Sequence, residues 1–231
     1  MNKIMVALKD MPVEEALKWA ELFQGKVWGF KLNTMLYRGV DPLINKMKKF
    51  GNVMADAKVF EIPDDMENTV RYLVSAGADL VTVHLTADWK PPKDLVDKVV
   101  GVTILTSFND EMAYRVYGYE NTSDGVAQTL RRAFDYGYKN VVCSAFDLRV
   151  NRIKKIISKA KFNVICPSIR MADVVVKNDD QKRTATPREA VDLGANILVI
   201  GRPIMNAEDP VSIINRINAE TNGIDREPHG N

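Results

Sequence analysis

Eight short apolar runs, rich in β-branched residues, punctuate the chain, and a longer amphipathic stretch follows each. They read Ile4 to Leu8, Val27 to Leu32, Val53 to Val59, Leu80 to His84, Val102 to Leu105, Asn140 to Cys143, Asn163 to Cys166 and Ile197 to Ile200. Most are continuously apolar rather than alternating, the pattern of strands covered on both faces. The stretches between them carry helix signals. Pro12 to Ala20 puts Glu14 and Glu15 in a first turn, with apolar residues at helical spacing. Asp41-Pro42, Thr186-Pro187 and Asp209-Pro210 each combine a capping residue with a proline at a first turn, and Gly194 closes the helix that Thr186 opens. Eight strand–helix units in 231 residues, with no linker, predict an α/β fold: a single-domain (β/α)8 TIM barrel over residues 1–222, then a polar C-terminal tail over 223–231. An open doubly wound sheet is the alternative, because the pattern does not record closure.

Composition narrows the function classes. With 32 Lys+Arg against 30 Asp+Glu, net charge is +2, so neither a basic nucleic-acid arm nor an acidic tail is present. The expected partners include no nucleic acid and no membrane. Only five apolar residues precede Lys9, too few for a secretion signal, and no run approaches the roughly 18 apolar residues of a membrane span. Cys143 and Cys166 lie inside apolar runs without metal-ligand spacing, which fits a reducing, cytoplasmic setting. With two histidines in all, a His-based metal site is not expected. His84, ending the fourth run, reads as a structural or hydrogen-bonding neighbour of the site. Neither a dinucleotide fingerprint nor a phosphate-binding P-loop occurs, and Ser144 has no triad or nucleophile elbow around it.

In a barrel of this kind, chemistry sits where strands end and loops begin. Those ends carry Lys9-Asp10, Lys31, Asp56 with Lys58 and Glu61, His84, Thr106-Ser107, Ser144, Pro167-Ser168 and Gly201-Arg202. Asp56 and Lys58, two apart on one strand, point the same way, with Lys31 on the neighbouring strand. An Asp between two lysines stays ionised and keeps both ammonium groups charged. A buried salt bridge supporting the barrel is the competing reading of that trio. After the eighth run, Gly201-Arg202-Pro203 offers a close backbone approach and a guanidinium fork for phosphate oxygens, against an ordinary helix start with a surface Arg. The polar stretch from Lys177 to Arg183 is longer than a connection needs. It reads either as a lid closing on an anion with Arg170 and Gln181, or as a plain solvated loop.

These motifs resemble the orotidine 5′-phosphate decarboxylase family along nearly the whole chain. Asp56, Lys58, Ile62 and Pro63 match its D-x-K-x-x-D-I-P motif, and Lys31 its strand-two lysine. Leu105-Thr106-Ser107 and Val142-Cys143-Ser144 match strands five and six. Pro167 to Arg170, Asp180 to Arg183, Thr186-Pro187, Gly194-Ala195 and Gly201 to Ile204 follow the family's C-terminal half in order. Related barrels that decarboxylate or condense sugar phosphates share D-x-K-x-x-D but lack the Gln-Lys-Arg segment. The resemblance implies cofactor-free decarboxylation of orotidine 5′-phosphate to UMP in pyrimidine synthesis. Lys58 would be the general acid at C6, Asp56 would face the substrate carboxylate, and Lys31 would hold that array and reach the ribose. Thr106 would help hold the pyrimidine end, with Ser107 beside it also substrate-binding, while Arg170, Gln181, Gly201 and Arg202 would grip the 5′-phosphate. No metal or organic cofactor is implied, and the expected partners are a phosphorylated nucleotide and a second copy of the chain in a homodimer.

Three positions depart from the family pattern. Lys9 stands where the family has a strand-one Asp, with Asp10 beside it. Glu61 replaces the second acid of the motif, and Asp65 replaces a Thr. In the family the last two serve the partner subunit's site. Two further readings therefore stay open: a diverged barrel decarboxylase for another phosphorylated sugar or nucleotide, and a nucleotide-binding relative without turnover.

Overall fold

A computed structural model describes residues 3–171 and 184–221. Eight parallel strands close into a barrel in the order β1 to β8, with β8 pairing back onto β1. They are β1 (Lys3–Leu8), β2 (Gly29–Leu32), β3 (Asn52–Val59), β4 (Leu80–His84), β5 (Val99–Val102), β6 (Asn140–Val142), β7 (Asn163–Cys166) and β8 (Ile197–Ile200). Closure settles the choice against an open sheet.

Strand alternation sorts the core into two parts. Met5, Met54, Leu80, Val100, Ile165, Ile197 and Val199 fill the barrel interior. The intervening residues, such as Ile4, Val6, Val53, Val81 and Val164, face the helices. Both faces of each strand are therefore apolar, which is why the runs read as continuous. Gly29 is fixed by a close approach, since a Cβ there would lie 2.2 Å from the Asn52 carbonyl oxygen.

The helices are α1 (Val13–Phe23), α2 (Val40–Met47), α3 (Pro63–Ser75), α4 (Asp110–Tyr117), α5 (Thr122–Asp135), α6 (Ala145–Leu148), α7 (Asn151–Ala160), α8 (Pro187–Leu193), α9 (Arg202–Met205) and α10 (Pro210–Thr221). Thr186 caps α8 by accepting from the Glu189 N–H at 3.2 Å, and Gly194 ends it at φ 119°. The Asp209 carboxylate accepts from the Ser212 N–H at 3.0 Å at the start of α10.

Three expectations need correction. The strand–helix alternation fails between β4 and β5, where a 3₁₀ turn at Leu85–Ala87 and an irregular segment replace an α-helix, while two helices each follow β5, β6 and β8. Strand β5 lies three residues earlier than the run Val102 to Leu105 predicts. Its ladder to β6 stops at Val102, because the Thr103 hydroxyl donates to the Val142 carbonyl at 2.8 Å and the chain then peels away. Asp41 does not cap α2: the helix begins at Val40 behind Gly39, whose φ of 114° turns the chain, leaving Asp41 in the first turn.

Candidate active site

At the C-terminal ends of the strands the barrel opens into a cavity of about 760 Å³. Its floor is the inward-facing ends of the strands, including Ala7, Met54, Val102, Val142, Ile165 and Val199. Above them stands the charged trio predicted from β2 and β3. The Asp56 Oδ2 atom accepts from Lys31 Nζ at 2.5 Å and lies 2.7 Å from Lys58 Nζ. The Thr82 hydroxyl, on the next strand, donates to Asp56 Oδ1 at 3.0 Å and accepts from the Lys58 backbone N–H at 2.9 Å. Asn33 donates to the Asp56 carbonyl at 2.7 Å.

Lys58 reaches this position through an irregularity. The β3–β4 register breaks between Ala55 and Val59, and Lys58 adopts φ 48°, a left-handed conformation that costs a non-glycine residue about 1 kcal/mol or more. Burial would raise the Asp56 pKa, but the ammonium groups of Lys31 and Lys58 overcome it and hold the carboxyl down at about 2. Burial lowers the Lys58 pKa, with Asp56 opposing the change and Lys31 adding to it. The trio is therefore a fixed ionised array with a sharpened acid at one end.

Of the remaining site candidates, Lys9, Asp10, Thr106, Ser107, Arg170, Gly201 and Arg202 all line the cavity. Asp10 sits at its rim, its carboxylate drawn to Arg38 at 3.1 Å. The Ser168 hydroxyl donates to the Thr106 hydroxyl at 3.2 Å, tying the ends of β5 and β7 together. Beyond β7 the segment with Arg170 is pinned at its base: Ile169 bridges to Ala185, and the Arg170 N–H donates to the Ala185 carbonyl at 2.9 Å. Gln181 and the whole of the proposed lid, Lys177 to Arg183, lie outside the described residues.

Glu61 and Asp65 are not brought to the cavity within this chain. Both are exposed, and Asp65 lies in the first turn of α3, where an acid suits the helix dipole. His84 does not show the hydrogen-bonding role expected of it at Nδ1, which is buried without a partner among the described residues. Its ring instead meets Phe60 edge-on, with centroids 6.0 Å apart. Burial, then the Lys58 charge, lowers the His84 pKa, so the ring is neutral at pH 7. Both cysteines are buried free thiols, and burial pushes Cys166 up to about 12. No cluster of three potential metal ligands occurs among the described residues.

Sequence reasoning missed Thr82 and Asn33. The signal for Thr82 was a lone hydroxyl on the inward register of an otherwise apolar strand. Asn33, two residues beyond Lys31, carries its own inward signal. The cavity wall made by Met11 and Pro12, just before α1, and by Glu15 and Trp19 on it was also missed, because in sequence it reads only as an amphipathic helix start.

Residues 2–217 match the orotidine 5′-phosphate decarboxylase / HUMPS family. The chain belongs to that family. Similar proteins include the orotidine 5′-phosphate decarboxylase of Wolbachia pipientis subsp. Culex pipiens, 32% identical over 92% of this chain and 95% of the relative. The enzyme of the same name from Dichelobacter nodosus is 34% identical over 94% of this chain and 98% of the relative. Among solved structures, an uncharacterized conserved protein from Geobacillus kaustophilus superposes with a TM-score of 0.74 at 25% identity, covering 94% of this chain and 99% of that one. Orotidine 5′-monophosphate decarboxylase from Methanocaldococcus jannaschii, complexed with the inhibitor BMP, shares the fold with a TM-score of 0.72 at 23% identity over 96% and 99% of the two chains. Family membership fits the fixed Asp–Lys array and the strand-eight Gly-Arg in one cavity.

Proposed function

We propose that the protein decarboxylates orotidine 5′-phosphate to UMP, a lyase step of pyrimidine nucleotide synthesis, without a cofactor. The observation that carries this reading is the Lys31–Asp56–Lys58 array just above the cavity floor. In the proposed reaction the bond between C6 and the carboxylate breaks, carbon dioxide leaves, and the electron pair stays on C6. Lys58 donates its proton to that carbon. Its lowered pKa makes it a stronger acid than a free lysine, while Asp56 keeps it protonated until the carbanion forms. Asp56, locked as a carboxylate, faces the substrate carboxylate and disfavours the bound ground state. A charge array already in place needs no reorganisation as charge develops at C6.

Arg170, Gly201 and Arg202, joined by Gln181, would hold the 5′-phosphate. Binding energy gained at that remote group is what the family's chemistry draws on. Thr106 and Ser107 would take the pyrimidine edge. We further propose a homodimer in which Glu61 and Asp65 complete the partner's site. Their exposure supports this, as does the apolar surface beside them, with Phe60 57% and Ile62 64% exposed. A cytoplasmic setting is part of the same proposal, as expected for a step of nucleotide synthesis. No helix among the described residues is long and apolar enough to cross a membrane.

The test is the fall in absorbance of orotidine 5′-phosphate on adding the purified protein. Turnover should vanish in Lys58→Ala while UMP binding survives. UMP binding without any turnover in the unaltered protein would instead identify a nucleotide-binding relative. The phosphate assignment is checked with Arg202→Ala, which should weaken UMP binding by roughly tenfold or more and leave uridine binding nearly unchanged. Equal weakening of both ligands would remove Arg202 from the site.

A further inference from the structure

The strand order determines what a ligand must pass on its way across the cavity. The reacting group belongs at Lys58 on β3 and the phosphate at Arg202 after β8. In the closed barrel the shorter path between them runs over the ends of β2 and β1. On the nucleotide reading, on which this inference rests, the part of the ligand lying there is the sugar.

At the end of β1 the cavity presents an ammonium group. Met5 and Ala7 face the barrel interior, and Lys9, two residues on, continues the inward register and lines the cavity. Asp10 takes the opposite course: its φ of 51° turns the chain, and its carboxylate pairs with Arg38 at the rim. The other described carboxylates of the lining are also engaged. Asp56 is shared by Lys31 and Lys58, and Glu15, on α1, accepts from Trp19 Nε1 at 3.5 Å. Among the described residues Lys9 makes no ion pair. It therefore adds a positive charge beside the sugar, beyond the charges committed to the reacting group and the phosphate.

Neutral ribose hydroxyls leave that charge unmatched. A second anion on the ribose would match it, because an ammonium is a point charge with three donors and no acceptor. We infer that Lys9 is a specificity-determining residue: it gives the cavity a second phosphate subsite at the ribose, so that pyrimidine nucleoside bisphosphates, carrying one phosphate at the 5′ position and one on a ribose hydroxyl, enter the same site as ligands and are held more tightly than the product UMP. Such a ligand would be formed by phosphorylation of a ribose hydroxyl, or released by cleavage of a polynucleotide bearing a 5′-phosphate. The added contact is an ion pair between a dianion and a cation that a bound ligand partly shields from water.

Calorimetric titration with UMP, uridine 3′,5′-bisphosphate and uridine 2′,5′-bisphosphate tests this. The unaltered protein should bind at least one bisphosphate roughly three- to tenfold more tightly than UMP, between the worth of an exposed and of a desolvated ion pair. The preference should disappear in Lys9→Ala, reverse in Lys9→Asp, and shrink in 0.5 M salt, on the order of the concentrations that screen to a few ångströms. Because each protein is compared by its own ratio of two ligands, a general loss of affinity in a variant does not imitate the result. UMP binding with no bisphosphate preference, or a preference that survives in Lys9→Ala, overturns the inference and leaves the nucleotide reading standing. Failure of the unaltered protein to bind UMP at all overturns that reading, and the inference with it.

Discussion

A carboxylate that is only 5% exposed survives just above the cavity floor because both of its oxygens are answered. Asp56 Oδ2 meets two ammonium groups, and Oδ1 meets the Thr82 hydroxyl, which in turn receives the Lys58 N–H. Removing that hydroxyl with Thr82→Val leaves a buried N–H without an acceptor and a carboxylate oxygen without its donor. The expected loss is about 1–3 kcal/mol of stability by urea unfolding, together with a drop in turnover, both largely restored in Thr82→Ser. Acid makes a second prediction. The folded-state pKa of Asp56 is about 2, below its ordinary 3.8, so its ion pairs contribute stability that is complete above the ordinary value. That contribution is lost as pH falls toward 2, and it amounts to roughly 2 kcal/mol. Unfolding measured at pH 7 and pH 2.5 should show the unaltered protein losing more stability than Asp56→Asn; equal losses would mean that Asp56 is not held down. The charged pair itself was legible in the sequence because D-x-K is a spacing. Thr82 was not, since its partners come from a strand 26 residues away, and its one local mark, a lone hydroxyl on the inward register, does not say what it bonds.

Element by element, sequence legibility followed how local the deciding interaction is. Strands β4, β7 and β8 and the Thr186 cap match their local patterns, because burial on two faces and a capping hydroxyl are written in neighbouring residues. The end of β5 depends instead on which partner takes the Val142 carbonyl, a contact across 39 residues. The two-residue alternation places Asp56 and Lys58 together, but the structure achieves this through a register break and a left-handed Lys58 that alternation does not foresee. Ser144 shows the same division. Sequence reading found no nucleophile in it, and the structure gives it a capping box: its hydroxyl donates to Asp147 Oδ2 at 2.7 Å and accepts from the Asp147 N–H at 3.2 Å, with both residues buried. Ser144→Ala should therefore cost about 1–3 kcal/mol of stability while leaving turnover per folded molecule within about twofold. A collapse of turnover at full stability would instead place Ser144 in the chemistry.

For the whole molecule, the barrel brings residues of seven of its eight strands into one mouth, yet it leaves Glu61 and Asp65 outside that mouth, on a surface flanked by Phe60 and Ile62. A single chain therefore presents the Asp–Lys array and strands two acids of its own motif region. The proposed dimer resolves this by giving each cavity the partner's Glu61, and the arrangement has a consequence that a site built within one chain does not. Lys58→Ala and Glu61→Ala should each be inactive as homodimers. Mixed by unfolding and refolding together, they form dimers of both parents and of the hybrid. In the hybrid, one cavity combines its own Lys58→Ala with the partner's Glu61→Ala and is dead, whereas the other has an intact Lys58 and an intact Glu61 from across the interface. Random pairing at equal concentrations makes about half the dimers hybrid with one working cavity of two, so about a quarter of the unaltered activity should return. If Glu61 acted within its own chain, both hybrid cavities would carry a lesion and nothing would return. Ile62→Lys supplies the matching physical measurement. A charge buried in that interface should shift sedimentation toward the monomer and lower turnover at dilute enzyme, with recovery as concentration rises. Full activity from a monomer would remove the dimer from the account and leave Glu61 and Asp65 as ordinary surface acids.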